Sequence, residues 1–240
     1  MPQSTENSSV ISGKLPLHVQ VSEMLAREIQ AGIYPDGAKL EPERELAQRL
    51  DVAVGTLRKA LADLTDKGLL ERVQGSGNYV RNSSDAQTIY GFFRLELIEG
   101  GGLPTAEILS LIKRAKPADL PRFGSSEDGY RFRRWRKLNG LDAALEEIWL
   151  DAAYVTVPPP ADLPDSLYQY YRQSLNLWIT KAEDKVSVAP PPDWKPDAFA
   201  SGSMIWGYVE RFGYDQNNQI AEYSRTWFDP ATTRFVARWA

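Results

Sequence analysis

The spacing of apolar residues changes once along this chain, and that change constrains its fold more than any other feature. From residue 16 to about residue 68 apolar side chains recur three and four positions apart, the period of a helix face. Beyond about residue 89 they alternate, the period of a strand face. A chain that switches period in this way is expected to be α+β in two parts, a helical unit followed by a mostly antiparallel sheet. Its 240 residues suffice for two cores, and 42% apolar with 25% charged residues is the balance of a globular protein.

In the helical unit Leu17, Val21, Met24, Leu25 and Ile29 share a face, with Pro16 suited to a first turn and Gly32 to a C-terminal cap. After the turn Tyr34-Pro35-Asp36-Gly37, a short helix over 42–50 directs Leu46 and Leu50 inward. A third helix, starting near Gly55 or Thr56, carries Leu57, Leu61 and Leu64 on one face and stops at Gly68. Its opposite face shows Arg58, Lys59 and Ala62. Two strand-like runs, 69–74 and 78–81, flank Gly75-Ser76-Gly77 and predict a tight hairpin. Three helices and a glycine-tipped hairpin outline a winged helix-turn-helix. The expected organisation is a polar, flexible arm over 1–13, a winged helix-turn-helix over 14–82, a linker over 83–91 and a second domain over 92–240.

That outline points to double-stranded DNA, although bulk charge does not. The net charge is −4, and residues 14–81 hold ten Lys or Arg against ten Asp or Glu, so attraction to phosphate must come from placement. A recognition helix presents short or forked polar groups from its first turn. Thr56 suits a phosphate or base edge, Arg58 a bidentate contact to guanine, and Lys59 a phosphate. Arg44, one helix earlier, is placed to anchor the backbone, and the narrow tip Gly75, Ser76, Gly77 fits a minor groove. Taken one at a time, each of these charges also reads as ordinary solvated surface. A single recognition helix per chain implies a homodimer on a two-fold operator.

In the second part, period-2 stretches cover 130–138, 145–154, 205–212 and 220–228, with residues 215–218 as a hairpin turn between the last two. Helices are expected over 105–114 and 166–175, and the proline-rich stretches 158–164 and 190–196 read as extended loops. Strand alternation puts Tyr130, Phe132, Arg134 and Arg136 on one face. If that face looks inward, two adjacent guanidiniums need a counter-charge, which a bound phosphate or carboxylate supplies. If it lies at a rim, both arginines are wet or paired with Asp and Glu. Trp149, Trp206 and Trp227 read as core before they read as pocket lining.

The absence of cysteine excludes disulfides, thiolate metal sites and cysteine nucleophiles. The single histidine, His18, begins the first helix, which excludes imidazole chemistry and histidine metal ligation from the second domain, so no metal and no cofactor is expected. Neither a basic leader nor an eighteen-residue apolar run is present, so no membrane segment and a cytoplasmic location are expected.

Several strings carry a family likeness. Leu40-Glu41-Pro42-Glu43-Arg44-Glu45-Leu46-Ala47, Gly55-Thr56-Leu57-Arg58-Lys59-Ala60-Leu61, Lys67-Gly68-Leu69-Leu70 and Gln74-Gly75-Ser76-Gly77-Asn78-Tyr79-Val80 resemble the DNA-binding domain of GntR-type bacterial regulators. The chain departs from the usual pattern at Glu41-Pro42, at Ala53-Val54 and at Ser76, which implies fewer phosphate contacts and an operator of its own. Arg134-Trp135-Arg136 with Asn139-Gly140, then Glu146-Glu147-Ile148-Trp149-Leu150, Ser166-Leu167-Tyr168, Arg211, Tyr214-Asp215 and Ile220-Ala221-Glu222-Tyr223-Ser224 resemble the UTRA effector-binding domain of the HutC branch, whose fold is similar to chorismate lyase. The resemblance implies Arg134 and Arg136 for an anion and Glu146, Ser166, Tyr168 and Glu222 for the polar remainder of a small metabolite. Where the family often has a phosphate-binding Ser, this chain has Tyr90-Gly91-Phe92-Phe93-Arg94, so a carboxylate, sulfonate or phosphonate stands beside a sugar phosphate as the expected anion. The implied protein is a ligand-responsive repressor. The alternatives are a regulator whose second domain only dimerises, and an enzyme of chorismate-lyase-like fold, the latter discounted because fold likeness does not carry activity.

Overall fold

The computed structural model describes residues 16–30, 33–81, 91–160 and 162–237. The arm expected over 1–13, the cap expected at Gly32 and all but Gly91 of the linker expected over 83–91 lie outside the described residues.

The first unit has the elements its periodicity predicts: α1 (Leu17–Gln30), α2 (Glu43–Arg49), α3 (Val54–Asp66) and a hairpin of β1 (Leu70–Val73) with β2 (Gly77–Val80). Val21, Leu25 and Ile29 of α1 meet Leu57, Leu61 and Leu64 of α3 in one core, closed by Leu46, Leu69 and Val80. The end of α3 is set by Gly68, at φ 71°. There the Gly68 N–H donates to the Thr65 carbonyl and the Leu69 N–H to the Leu64 carbonyl, both at 2.9 Å, which is the Schellman pairing that satisfies a helix's last carbonyls. Polar contacts add register: Ser22 donates to Asp63, and Lys67 of the same end bridges to Glu23 at 2.5 Å.

The second unit is built on β4 (Pro104–Ala115), β5 (Asp128–Leu138), β6 (Leu141–Asp151), β7 (Lys181–Ala189), β8 (Trp206–Tyr214) and β9 (Ile220–Phe228). They form an antiparallel sheet in the order β4-β5-β6-β9-β8-β7. A separate two-stranded pair joins β3 (Leu95–Leu97) to β10 (Thr233–Phe235), and α4 (Leu167–Leu175) packs on one sheet face. The β8–β9 turn is held by Asp215, whose Oδ1 accepts from the N–H groups of Asn217 and Gln219 at 2.8 Å each.

The helix expected over 105–114 is not formed; that segment is β4. A β-bulge explains the misreading. The register with β5 shifts between Ile108 and Ser110, leaving Leu109 unpaired. Ile108 and Leu111, three apart as on a helix, therefore reach the same core, while Leu109 packs on the opposite face. Strand β7 was not among the expected strands: as an exposed edge it carries Lys181, Glu183 and Lys185 toward solvent, and its Val186 and Val188 are exposed as well.

Alternation along β5 sorts its side chains as expected. Tyr130 and Phe132 join the core under α4, whereas Trp135 stacks on Phe199 across the sheet at a centroid distance of 5.5 Å. The tryptophans resolve as packing residues: Trp149 sits with Leu120, Phe123 and Tyr223, and Trp206 and Trp227 sit with Trp135 and Phe199. That leaves Arg134 and Arg136 on the inner face, each 3% exposed.

Candidate functional site

Two surfaces carry the predicted residues. In the first unit, Arg44, Arg58, Gly75, Ser76 and Gly77 line a single cleft of about 900 Å³ between the starts of α2 and α3 and the wing, together with Lys39, Arg72 and Gln74. Thr56 and Lys59 do not line it; they lie on α3, Thr56 half-buried and Lys59 exposed. Neither Pro42 nor Ala53, at the starts of α2 and α3, caps its helix with a side chain. The Thr56 N–H of α3 donates to the Ala53 carbonyl at 2.9 Å, and no side-chain cap takes the N–H groups before it. Glu41, Glu43 and Glu45 share the cleft, and Glu43 accepts from the Arg58 Nε at 2.6 Å. Arg58 must exchange that partner to read a base. The wing is stiffened by the segment before α2, where Gly37 and Leu40 donate to the Val80 and Asn78 carbonyls at 2.9 Å each.

The second surface is a cavity of about 90 Å³ between the inner sheet face, α4 and the segment 92–95. The register explains its floor. Arg134 of β5 is paired with Glu146 of β6, Glu146 with Thr226 of β9, and Thr226 with Val209 of β8. The next inner row runs Phe132, Ile148, Ser224, Arg211 and Asp184. All six residues predicted for an effector, Arg134, Arg136, Glu146, Ser166, Tyr168 and Glu222, line this one cavity.

The predicted pair of arginines faces inward, but its counter-charge comes from the chain. Glu146 Oε2 lies 2.7 Å from Arg134 Nη2 and 3.1 Å from Arg136 Nη2. Both guanidiniums also donate, through Nη1, to the Asp165 carbonyl at 3.1 Å. Burial alone would raise the Glu146 carboxyl; the two cations beside it outweigh that and hold it below the usual carboxylate range. Glu222 behaves in the opposite sense. It accepts from Tyr168 at 3.0 Å and from Tyr171 at 2.6 Å, yet burial dominates and its carboxyl is pushed up. The cavity thus contains one carboxylate locked in the charged state and one that is easier to protonate.

Two cavity arginines were not among the predicted site residues. Arg211 Nε and Nη2 donate to the Asp184 oxygens at 2.5 and 2.6 Å, a bidentate pair. Arg94 lines the cavity beside Phe92 and Phe93. Arg211 was legible, since it falls on the inner parity of the 205–212 stretch; Arg94 was not, because no alternation surrounds it. Phe93 has a second contact. Its ring lies 5.2 Å from the Arg136 guanidinium in the cavity and 5.3 Å from that of Arg27 on α1. Arg27 also makes long hydrogen bonds to the Leu95 and Gly102 carbonyls, at 3.4 and 3.5 Å.

Comparison with known proteins agrees with this two-part architecture. Residues 17–80 match the family described as bacterial regulatory proteins, gntR family, and residues 99–234 match the UTRA domain. The HTH-type transcriptional regulator SmoD of Agrobacterium fabrum (strain C58) is 54% identical over 228 residues, covering 94% of this chain and 97% of that protein. The mannosyl-D-glycerate transport/metabolism system repressor MngR of Escherichia coli (strain K12) is 25% identical over 236 residues, covering 93% and 96%. The crystal structure of a possible transcriptional regulator, YydK, from Bacillus subtilis subsp. subtilis str. 168 is similar in fold, with a TM-score of 0.51, 21% identity and coverage of 94% and 100%.

Proposed function

Because the chain belongs to the GntR family of bacterial regulatory proteins, in its HutC-type branch with a UTRA domain, we propose that it is a cytoplasmic repressor that holds a two-fold operator as a homodimer and is released by a small anionic metabolite. It is a DNA-binding transcriptional regulator and not an enzyme; no described helix is long and apolar enough to cross a membrane. Arg44, Arg58 and the Gly75-Ser76-Gly77 tip take backbone and base contacts along the cleft, with Thr56 and Lys59 reaching phosphates from the flank of α3. Arg134, Arg136, Glu146, Ser166, Tyr168 and Glu222 receive the metabolite. Repression is in keeping with the name of MngR, a repressor.

The observation that carries the reading is the shared ring of Phe93, which touches a pocket arginine and a helix of the DNA-binding unit at once. A ligand releases DNA only to the extent that it prefers the arrangement that does not bind DNA. A group that rearranges Arg136 alters the surface on which Arg27 rests, and with it the seating of α1. The test is selection of operators from random duplexes by the full chain. Enrichment of two-fold sites with half-sites about 10 base pairs apart, or a multiple of that, is expected. Arg58→Ala should abolish the enrichment; an unchanged selected sequence in that variant would sink the DNA assignment.

A further inference from the structure

We infer that the wing straddles the DNA minor groove with one cation on each of its faces, Lys39 meeting the phosphates of one strand and Arg72 those of the other. This rests on the reading of the first unit as the DNA-binding unit and deepens it, because it supplies from outside the hairpin tip the basic contacts that Ser76 does not.

The segment before α2 lies along β2 like a third strand. Gly37 donates to the Val80 carbonyl at 2.9 Å, Val80 to the Ala38 carbonyl at 2.8 Å and Leu40 to the Asn78 carbonyl at 2.9 Å, which sets Lys39 opposite Tyr79. Residues directly opposite share a face, and faces alternate along a strand. Lys39 therefore lies on the face of Tyr79 and Gly77, while Arg72, opposite Asn78 on β1, lies on the other. Gly77 makes room for the lysine: a Cβ there would stand 3.2 Å from Lys39 Cε, so the lysine stem runs beside the tip. At the tip itself the Ser76 hydroxyl is spent on the Tyr79 hydroxyl, at 2.7 Å.

Both cations are uncommitted. The carboxylates around them are taken by other arginines: Glu41 by Arg49 at 3.1 Å, Glu43 by Arg58 at 2.6 Å, and Glu71 by Arg81. No described carboxylate lies within ion-pair distance of Lys39 or Arg72, both side chains are exposed, and both line the cleft that holds Arg44, Arg58 and the tip. A minor groove is about 6 Å wide between its two phosphate walls, which admits a tip without bulky side chains and little else. Gly75 and Gly77 keep this tip thin. The first long side chains behind it, Lys39 on one face and Arg72 on the other, then stand at the two walls. Because the Lys39 backbone is bonded to β2, its charge is carried into place with the wing, so little ordering is left to the moment of binding. Contacts of this kind fix the position of the wing on the duplex and add affinity without reading sequence.

The experiment uses the full-length protein on a two-fold duplex from the selection described above, with anisotropy across a salt series and hydroxyl-radical footprinting of each strand. Lys39→Gln and Arg72→Gln should each reduce the slope of log K against log salt by about 0.9, and the double variant by about 1.8. The affinity lost by either single variant should then shrink about 3.5-fold between about 50 and about 200 mM salt. Lys39→Arg, which keeps the charge, should keep the slope, and Ser76→Lys should restore it in Lys39→Gln, neither of which a merely structural role would give. In the footprints, Lys39→Gln is expected to lose backbone protection beside the minor groove on one strand and Arg72→Gln on the other. Unchanged slopes in both single variants, with a reduced slope in Arg44→Ala, overturn the wing assignment and leave the DNA reading standing. Loss of protection on the same strand in both variants overturns the straddling arrangement. If the full chain selects no duplex, the DNA reading is overturned and this inference with it.

Discussion

Replacing Phe93 by Leu keeps most of the apolar volume between the two units and removes the aromatic face on which Arg136 and Arg27 rest, at 5.2 and 5.3 Å. A cation over an aromatic face contributes about 0.5–1 kcal/mol at exposed sites and about 2 kcal/mol when desolvated. Arg136 and Arg27 are 3% and 5% exposed while Phe93 is half-buried, so about 1 kcal/mol per contact is the reasonable figure. Couplings between effector and operator sites commonly amount to about 1–3 kcal/mol. Losing one contact's worth of coupling then reduces effector-induced weakening of operator binding by about fivefold. The assay is fluorescence anisotropy on a selected operator, with and without saturating D-glucose 6-phosphate or D-gluconate, whichever releases the wild type. Reciprocity gives an internal control, since the ratio of ligand affinities with and without operator must fall by the same factor. If Phe93→Leu binds ligand and operator and both ratios stay within twofold of wild type, the ring is packing only and the route through α1 is wrong.

The remaining predictions concern binding, packing and titration. Lys59→Ala should weaken all duplexes alike and reduce the slope of log K against log salt by about 0.9, measured by anisotropy across a salt series; a sequence-dependent loss would give Lys59 a base contact instead. Gly207→Ala should destabilise the second domain by about 1–3 kcal/mol, seen as a lower melting temperature, because its Cβ would fall 2.0 Å from the Phe228 ring on the neighbouring strand. Glu222, whose carboxyl is raised chiefly by burial, contributes stability that is full below the ordinary carboxylate range and is lost as pH rises through its folded pKa. Glu222→Gln should therefore gain melting temperature relative to wild type at pH 8 compared with pH 5; an equal difference at both pH values would remove the ionisation from the account.

Legibility in the sequence followed the regularity of the local backbone. The first unit was readable because Val21, Leu25, Leu57, Leu61 and Leu64 bury on regular helices and Gly68 ends α3 with a positive φ. In the second, β5 was readable to the side chain, since its alternation is unbroken from Tyr130 to Arg136. Strand β4 was not, because the bulge at Leu109 turns a period of two into an apparent period of three. Site chemistry was legible as an inward cluster, but its electrostatics were not: the partner of Arg134 and Arg136 depended on which residue of β6 stands opposite, and cross-strand register cannot be read from one strand's pattern. Arg94 was invisible for a related reason, as its place at the cavity wall comes from the carbonyls of the turn beside it rather than from any spacing.

The same short segment offers a route by which a ligand of modest size would influence a helix outside its pocket. The carbonyls of Gly91 and Phe93 hold Arg94, the Phe93 ring supports Arg136 and Arg27, and the Leu95 carbonyl accepts from Arg27. A ligand that displaces Arg136 or Arg94 would therefore act on the backbone that also seats α1. The Arg27 bonds, at 3.4 and 3.5 Å, stand at the long limit of useful hydrogen-bond geometry, so a displacement of a few tenths of an ångström suffices to lose them. An effector with limited binding energy shifts such a junction only if it favours one arrangement of these contacts over another.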